Sequence, residues 1–271
     1  MGLLNYLTFD GVKTSDYGIY ISGEGVFNAP KRRGELVNIP GRNGALFVDE
    51  GGFENIEVEY PAFCYKSTYA QFVTNIDNFR NAVVSKLGYK RLSDTFHPDE
   101  YRQAIFIDGI EISPILYNSG ATFTIMFNCK PQRFLTAGET PQVFSANGSI
   151  TNPTLYESKP LIKVTGDGTV SIAPYRFTVT DNPGEIYIDC EIGEAYLPMG
   201  IEYDWTDESG YIITDELNAP IQLVNGADEV WSAAEFVSFE NSLIPAIEPG
   251  TVNIGITGTA SIEIIPRWYR I

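Results

Sequence analysis

The sequence predicts a mainly β protein of two domains. The first, residues 1–136, reads as a β-sandwich or split barrel with one helix; the second, residues 137–271, reads as a β-sandwich. Three observations point there. At 271 residues the chain exceeds what one compact core usually serves. Short apolar–polar alternations broken by Gly, Pro and Asn turns recur along it. Only one stretch sustains helical spacing, and it lies in the first half.

In chain order, Leu7 and Phe9, then Tyr17, Ile19 and Ile21, alternate as in half-buried strands. Lys31-Arg32-Arg33-Gly34 forms a compact basic spot. Ile39-Pro40-Gly41-Arg42-Asn43-Gly44 follows as a turn-rich loop; Pro40-Gly41 suits a type II turn, and Asn43-Gly44 tolerates positive φ. Ile56, Val58 and Tyr60 mark one face of a strand from Ile56 to Tyr65.

The helix is expected from Thr68 to Leu87. Thr68 with Gln71 fits a capping box, and Tyr69, Phe72, Val73, Ile76, Phe79, Val83 and Leu87 fall at helical spacing. Gly88 supplies a left-handed stop. Residues 91–100 read as a polar turn, with His97 at the surface. Strands are expected at Tyr101–Ile107 and Ala121–Cys129. Residues 137–152, rich in Gly, Pro, Thr, Ser and Asn, read as the linker.

The second half shows no helical spacing. Leu161–Thr165 and Thr169–Ile172 flank Gly166-Asp167-Gly168, a hairpin signal. Short strands are expected at Phe177–Thr180, Ile186–Asp189, Glu194–Pro198, Tyr211–Thr214 and Gln222–Val224, and again near residues 251–256 and 260–265. Many short strands separated by turns point to a sandwich or jelly roll.

Charge divides the chain. Residues 1–135 hold 13 Lys and Arg against 15 Asp and Glu, a net of −2; the remainder holds 5 against 20, a net of −15. An acidic surface repels nucleic-acid phosphates and anionic lipid headgroups alike, which argues against duplex or membrane binding. Cys64, Cys129 and Cys190 are too widely spaced for a metal or redox motif and read as core thiols in a reducing compartment. Residues 1–7 do not read as a secretory signal, and no apolar stretch approaches the ~18 residues that cross a bilayer.

Catalytic constellations are sparse. His97 is the only histidine, which removes His-based metal cages and leaves a Ser-His-Asp triad only if His97 supplies it. No phosphate-binding glycine motif opens a helix. Asp204, Asp207, Glu208, Asp215 and Glu216 surround Trp205, so paired-carboxylate hydrolysis or calcium binding is conceivable, but the spacing matches no EF-hand. No cofactor is implied. Trp205 and Trp231 are the candidate sugar or partner contacts.

Taken in order, several segments resemble one family. They are Asn38-Ile39-Pro40-Gly41-Arg42-Asn43-Gly44-Ala45-Leu46, the single amphipathic helix, Pro160-Leu161-Ile162-Lys163-Val164-Thr165-Gly166-Asp167-Gly168, the run from Ile188-Asp189 to Glu194-Ala195-Tyr196, Pro249-Gly250-Thr251-Val252-Asn253-Ile254 and Pro266-Arg267-Trp268. The ordered set resembles the distal tail proteins of long-tailed bacteriophages with flexible tails. That resemblance implies a homohexameric ring built by the N-terminal domain, whose channel DNA crosses as cargo. It implies contacts with the major tail tube protein and the tail-associated hub protein, and a location at the virion tail tip after assembly in the host cytoplasm. It also implies a galectin-like C-terminal sandwich, which in some relatives carries an arm for receptor-binding proteins. Residues 137–271 leave no room for a long arm, and without a histidine they do not carry the usual galectin sugar-binding pattern.

Within this frame Pro40, Gly41, Arg42, Asn43 and Gly44 are the candidate ring-interface residues, since arginine is favoured at interface cores. The competing reading is a carbohydrate-binding baseplate module contacting the host cell wall through Trp205 or Trp231.

Overall fold

A computed structural model describes residues 4–66, 68–115, 120–198, 202–204, 222–224 and 231–271. The protein is mostly β with one α-helix, and its chain divides into two compact units, residues 1–136 with 271 and residues 137–270.

The first unit is a curled antiparallel sheet. Its strands run in the order Val12–Lys13, Leu7–Phe9, Lys90–Asp94, Glu100–Ile105, Gly120–Leu135, Ile56–Tyr65, Ile19–Ile21. Ile56–Tyr65 pairs residue by residue with the first ten positions of Gly120–Leu135, from Gly120 opposite Tyr65 to Cys129 opposite Ile56. The period-2 pattern puts Ile56, Val58, Tyr60, Ala62 and Cys64 beside Ala121, Phe123, Ile125, Phe127 and Cys129 on one buried face.

The helix Tyr69–Val84 lies in this same core, with Phe72, Ile76, Phe79 and Val83 buried. Its Phe79 ring stands 6.5 Å from that of Phe123. Thr68 caps the helix, its hydroxyl accepting from Gln71 N at 3.3 Å. The helix ends three residues earlier than the apolar spacing suggests: Ser85 is its C-cap, and Leu87 is 84% exposed. Leu87 and Tyr69 mark the limits of a stripe whose middle alone meets the sheet.

Three expectations for this unit change. Residues 90–94 form a strand rather than a turn, placing Leu92 in the core between Phe9 and Arg102. Strand Gly120–Leu135 does not stop at Cys129; its register against Glu100–Ile105 shifts between Cys129 and Arg133, and Pro131, which cannot donate to a ladder, sits in that irregularity. His97 is not a surface residue. Its side chain is 16% exposed, with Nδ1 3.2 Å from Asp94 Oδ1.

The second unit has a six-stranded and a five-stranded antiparallel sheet. The first runs Gln142–Phe144, Ser261–Ile265, Leu161–Thr165, Glu185–Asp189, Glu194–Leu197, Trp231–Ser232. The second runs Gly148–Asn152, Gly250–Gly258, Gly168–Ile172, Tyr175–Val179, Val237–Phe239. Ile162, Val164, Ile186, Ile188, Ile262 and Ile264 from the first sheet are buried, as are Val170, Ile172, Phe177, Val179, Val252 and Ile254 from the second. A short pair, Glu202–Asp204 with Gln222–Val224, belongs to neither sheet; residues 211–214 lie outside the described residues.

Two expectations fail in this unit. Residues 137–152 are not a linker; they supply Gln142–Phe144 to one sheet and Gly148–Asn152 to the other, with Ile150 buried. Gly166-Asp167-Gly168 does not close a hairpin. Leu161–Thr165 belongs to the six-stranded sheet and Gly168–Ile172 to the five-stranded one, so the chain changes sheets there.

A second crossing, through Gly258 and Thr259, packs against the first. Thr259 N donates to Asp167 O at 2.7 Å, and Asp167 N donates to Thr259 Oγ1 at 3.1 Å. The glycines permit this approach. A Cβ on Gly258 would stand 2.6 Å from Asp167 O, and one on Gly168 would fall inside the van der Waals envelope of Thr257 O.

Arg267, in the left-handed region at φ 56°, makes a two-pronged ion pair with Asp189, from Nη1 to Oδ1 at 2.6 Å and from Nη2 to Oδ2 at 2.9 Å. Partial burial works to raise the Asp189 carboxyl, but Arg267 and the backbone N–H groups of Glu191 and Ile192 outweigh it and hold it below its ordinary value.

Gly168→Ala should therefore destabilise the protein by more than about 3 kcal/mol, whereas Gly250→Ala, with φ 89° but open space around it, should cost about 1 kcal/mol. Urea unfolding of both variants measures the difference; equal costs would show that the crossing is not tightly packed.

Acidification gives a second test. A carboxyl held low in the folded state contributes stability above its unfolded value of about 3.9, and that stability is lost as pH falls through the folded value. Asp189→Asn should flatten the decline in melting temperature below about pH 4; an unchanged slope would assign the acid sensitivity to other carboxyls.

Candidate docking surface

The turn-rich loop of residues 39–44 closes a two-stranded ribbon, Arg32–Asn38 with Ala45–Phe53. Gly41 takes φ 79° and Arg42 N donates to Ile39 O at 3.2 Å, as a type II turn over Pro40-Gly41 requires. Gly44, at φ 80°, returns the chain into the second strand. Pro40, Gly41, Arg42, Asn43 and Gly44 are thus together at the ribbon tip, all exposed. Arg32 and Arg33 of the basic spot lie in its first strand.

At the base the register shifts between Arg32 and Gly34. Asp49 holds that irregularity, accepting from Gly51 N at 2.8 Å and Arg32 Nη1 at 2.9 Å. The Gly51 N–H and, against a smaller desolvation effect, Arg32 hold the Asp49 carboxyl below its usual value. Arg32 also lies over the Phe53 ring, and Lys31 Nζ reaches Glu54 Oε1 at 3.5 Å.

Above this polar base the ribbon is apolar on both sides. Leu36 sits opposite Phe47 on one face, and Val37 opposite Leu46 on the other, with Val48 beside them. Phe47 lies across Gly34, where any Cβ would collide with its ring. Leu36 is 67% exposed, and Ile39, Leu46, Phe47 and Val48 are also exposed. Among the described residues the ribbon pairs with no other strand. A two-stranded ribbon is marginal in water without a surface to cover one face, and this one offers apolar side chains on two.

A second exposed apolar surface lies on the outer face of Ile56–Tyr65. The side chains opposite the core there are Glu57, Glu59, Pro61, Phe63 and Tyr65. Phe63 and Tyr65 are exposed, and the Tyr20 ring lies 5.8 Å from that of Phe63. The sequence reading assigned no role to this face, although the strict alternation of residues 56–65 already placed these side chains outward.

The other candidates fare differently. Trp205, Asp207, Glu208, Asp215 and Glu216 lie outside the described residues; Asp204 ends the strand Glu202–Asp204, and Trp231 begins Trp231–Ser232. Among the described residues no group of three His, Cys, Asp or Glu side chains is arranged to hold a metal ion. His97 serves a turn. Asp94 Oδ1 accepts from the backbone N of Phe96 and of His97, and its Oδ2 accepts from the Tyr60 hydroxyl at 2.9 Å. Burial and the Asp94 charge push the Tyr60 phenol well above its usual value. Cys129 and Cys190, both raised to about 12 chiefly by burial, are core thiols.

Among solved structures, the chain aligns over 99% of its length with the whole of phage SPP1 Dit (gp 19.1), described as a paradigm of the hub adsorption apparatus in phages infecting Gram-positive bacteria. The TM-score is 0.67 at 12% identity. Two structures of the phage p2 baseplate in its activated conformation also align. The one with Sr covers 100% of this chain and 99% of its own, at TM-score 0.49 and 8% identity; the one with Ca covers 97% and 98%, at 0.46 and 10%. No protein-family model and no curated protein sequence matches the chain. It therefore has the Dit fold from end to end, as the sequence resemblance implied.

The exposure of the ribbon is testable. At protein concentrations low enough to keep copies apart, Phe47→Ser should change the free energy of unfolding by less than about 1 kcal/mol, whereas Phe127→Ala, in the core, should cost about 3–5 kcal/mol. Equal losses in urea denaturation would mean that the ribbon is stabilised within its own chain.

Proposed function

We propose that this chain is a structural component of a long-tailed bacteriophage tail tip, with copies joined into a six-fold ring. The end-to-end likeness to the Dit fold carries the reading. The exposed apolar ribbon supports it, because a monomer gains nothing by leaving such a surface in water. In this reading residues 1–136 build the ring, with Pro40–Gly44 at the contact between copies. The ring joins the last tier of the tail tube to the hub and borders the channel through which DNA passes. Residues 137–271 form an outer, galectin-like appendage facing peripheral adsorption proteins. The protein assembles in the host cytoplasm and resides in the virion. Its role is structural rather than catalytic, and its one histidine is occupied at a turn beside Asp94.

Native mass spectrometry and electron microscopy of the full chain, alone and mixed with the neighbouring tube and hub proteins, test the proposal. The expected species has six times the mass of one chain and six-fold symmetry. A chain that stays monomeric in every mixture at high concentration would remove the ring reading.

A further inference from the structure

We propose that Asn43, at the ribbon tip, is a site of spontaneous covalent modification, at which attack by the Gly44 backbone nitrogen converts the asparagine to aspartate and isoaspartate. The reaction needs no enzyme, and its only co-reactant is water.

Three conditions govern it. The residue after the asparagine must lack a side chain, so that its nitrogen can reach the amide carbon. The backbone between the two must be free to rotate, and neither reacting group can be held by a hydrogen bond. The sequence has three Asn-Gly pairs, Asn43-Gly44, Asn147-Gly148 and Asn225-Gly226. The last lies outside the described residues.

Asn43-Gly44 meets all three conditions. Both residues are exposed. The hydrogen bond of the turn, from Arg42 N to Ile39 O, stops short of them. Among the described residues neither the Asn43 side chain nor Gly44 N has a hydrogen-bond partner. A Cβ placed on Gly44 would meet nothing within 4 Å, so no neighbour limits rotation there.

Asn147-Gly148 is also exposed, yet it is tethered. Asn147 Oδ1 accepts from Ile256 N at 2.8 Å, which fixes the side-chain amide. Gly148 lies in a strand opposite Ile254, and a Cβ on it would stand 3.0 Å from the Phe144 ring. Exposure does not separate the two pairs; tethering does.

The step balances without oxidation or reduction. Gly44 N, having lost its proton to hydroxide, bonds to Asn43 Cγ. The Cγ–Nδ2 bond breaks, and the nitrogen takes up a proton and leaves as ammonia. Water then opens the cyclic imide. Cleavage at Cγ gives aspartate; cleavage at the backbone carbonyl gives isoaspartate, with the main chain running through Cβ and Cγ.

Either product changes the tip. Arg42 is the only charged side chain between Leu36 and Val48, and the new carboxylate beside it cancels that charge. Isoaspartate also lengthens the main chain by one methylene, inside a tip closed by the pairing of Asn38 with Ala45. The ribbon thus carries a one-way change of charge and shape that accumulates with time after synthesis.

Peptide mapping by mass spectrometry tests this on the full chain at mildly alkaline pH, folded and in guanidinium chloride. Incubation continues until half of Asn43 has reacted in the unfolded chain. In the folded chain Asn43 should react within about threefold of its unfolded rate, and Asn147 should be slowed about tenfold or more, as loss of a hydrogen bond and of strand pairing must come first. Asn43→Gln, which would require a larger ring, should abolish the change at this position; circular dichroism confirms that the variant folds. An Asn43 slowed in the folded chain as much as Asn147, or an Asn147 that reacts as fast as Asn43, overturns the proposal.

Discussion

The first unit hangs on one strand. Gly120–Leu135 pairs with Ile56–Tyr65 along one edge and with Glu100–Ile105 and Ser113–Ile115 along others, so most of the curled sheet has its register set there. That register is strongly determined. A slip of one residue would turn Ala121, Phe123, Ile125, Phe127 and Cys129 to solvent and their outward neighbours into the core. The helix completes the arrangement by covering Phe123 with Phe79. The ribbon of residues 32–53 remains outside this core, with its apolar side chains exposed.

Burial area explains why such a ribbon suits assembly better than a one-to-one complex. Covering on the order of 400 Å² of apolar surface is worth roughly 10 kcal/mol at 25 cal/mol per Å². Association itself costs roughly 4–15 kcal/mol in lost rigid-body freedom. A single contact of that size is near balance. A closed ring gives every copy two such contacts, so closure shifts the balance further than any one contact does. The turn hydrogen bond at Arg42, the Asp49 bracket and the packing of Phe47 over Gly34 order the ribbon in advance, which lowers the entropy that docking must remove.

Much of this was legible in the residues, and the failures have physical causes. Ile56–Tyr65 alternates without interruption and folds as the alternation implies. The helix start was visible because Thr68 supplies the cap oxygen; its end was not, because Leu87 continues the spacing after the sheet has stopped. Gly166-Asp167-Gly168 has the composition of a tight hairpin, yet local composition cannot tell a turn within one sheet from a crossing between two. That distinction rests on the contact with Thr257 and Thr259, some ninety residues away. Residues 137–152 misled through their many small polar side chains; in Gly148–Asn152 Ser149 and Thr151 face outward while Ile150 and Asn152 are buried, and Gln142–Phe144 exposes Val143. The ribbon tip was legible as a turn, but its strands were not: their apolar residues lie on both faces and give no alternation to detect.

The distribution of charge bears on which unit can bring copies together. Residues after 135 carry a net of −15 and the earlier ones a net of −2. Pressing two copies together through surfaces of the second unit sets like charges against each other within the ~8 Å screening length of physiological salt. The first unit has nearly balanced charge, and its exposed surfaces carry both signs, among them Arg33, Glu35 and Arg42 on the ribbon and Glu57 and Glu59 on the sheet. Contacts through it meet little net repulsion, whereas the acidic second units repel one another. For the proposed ring, this makes contacts through the first unit electrostatically less costly than contacts through the second.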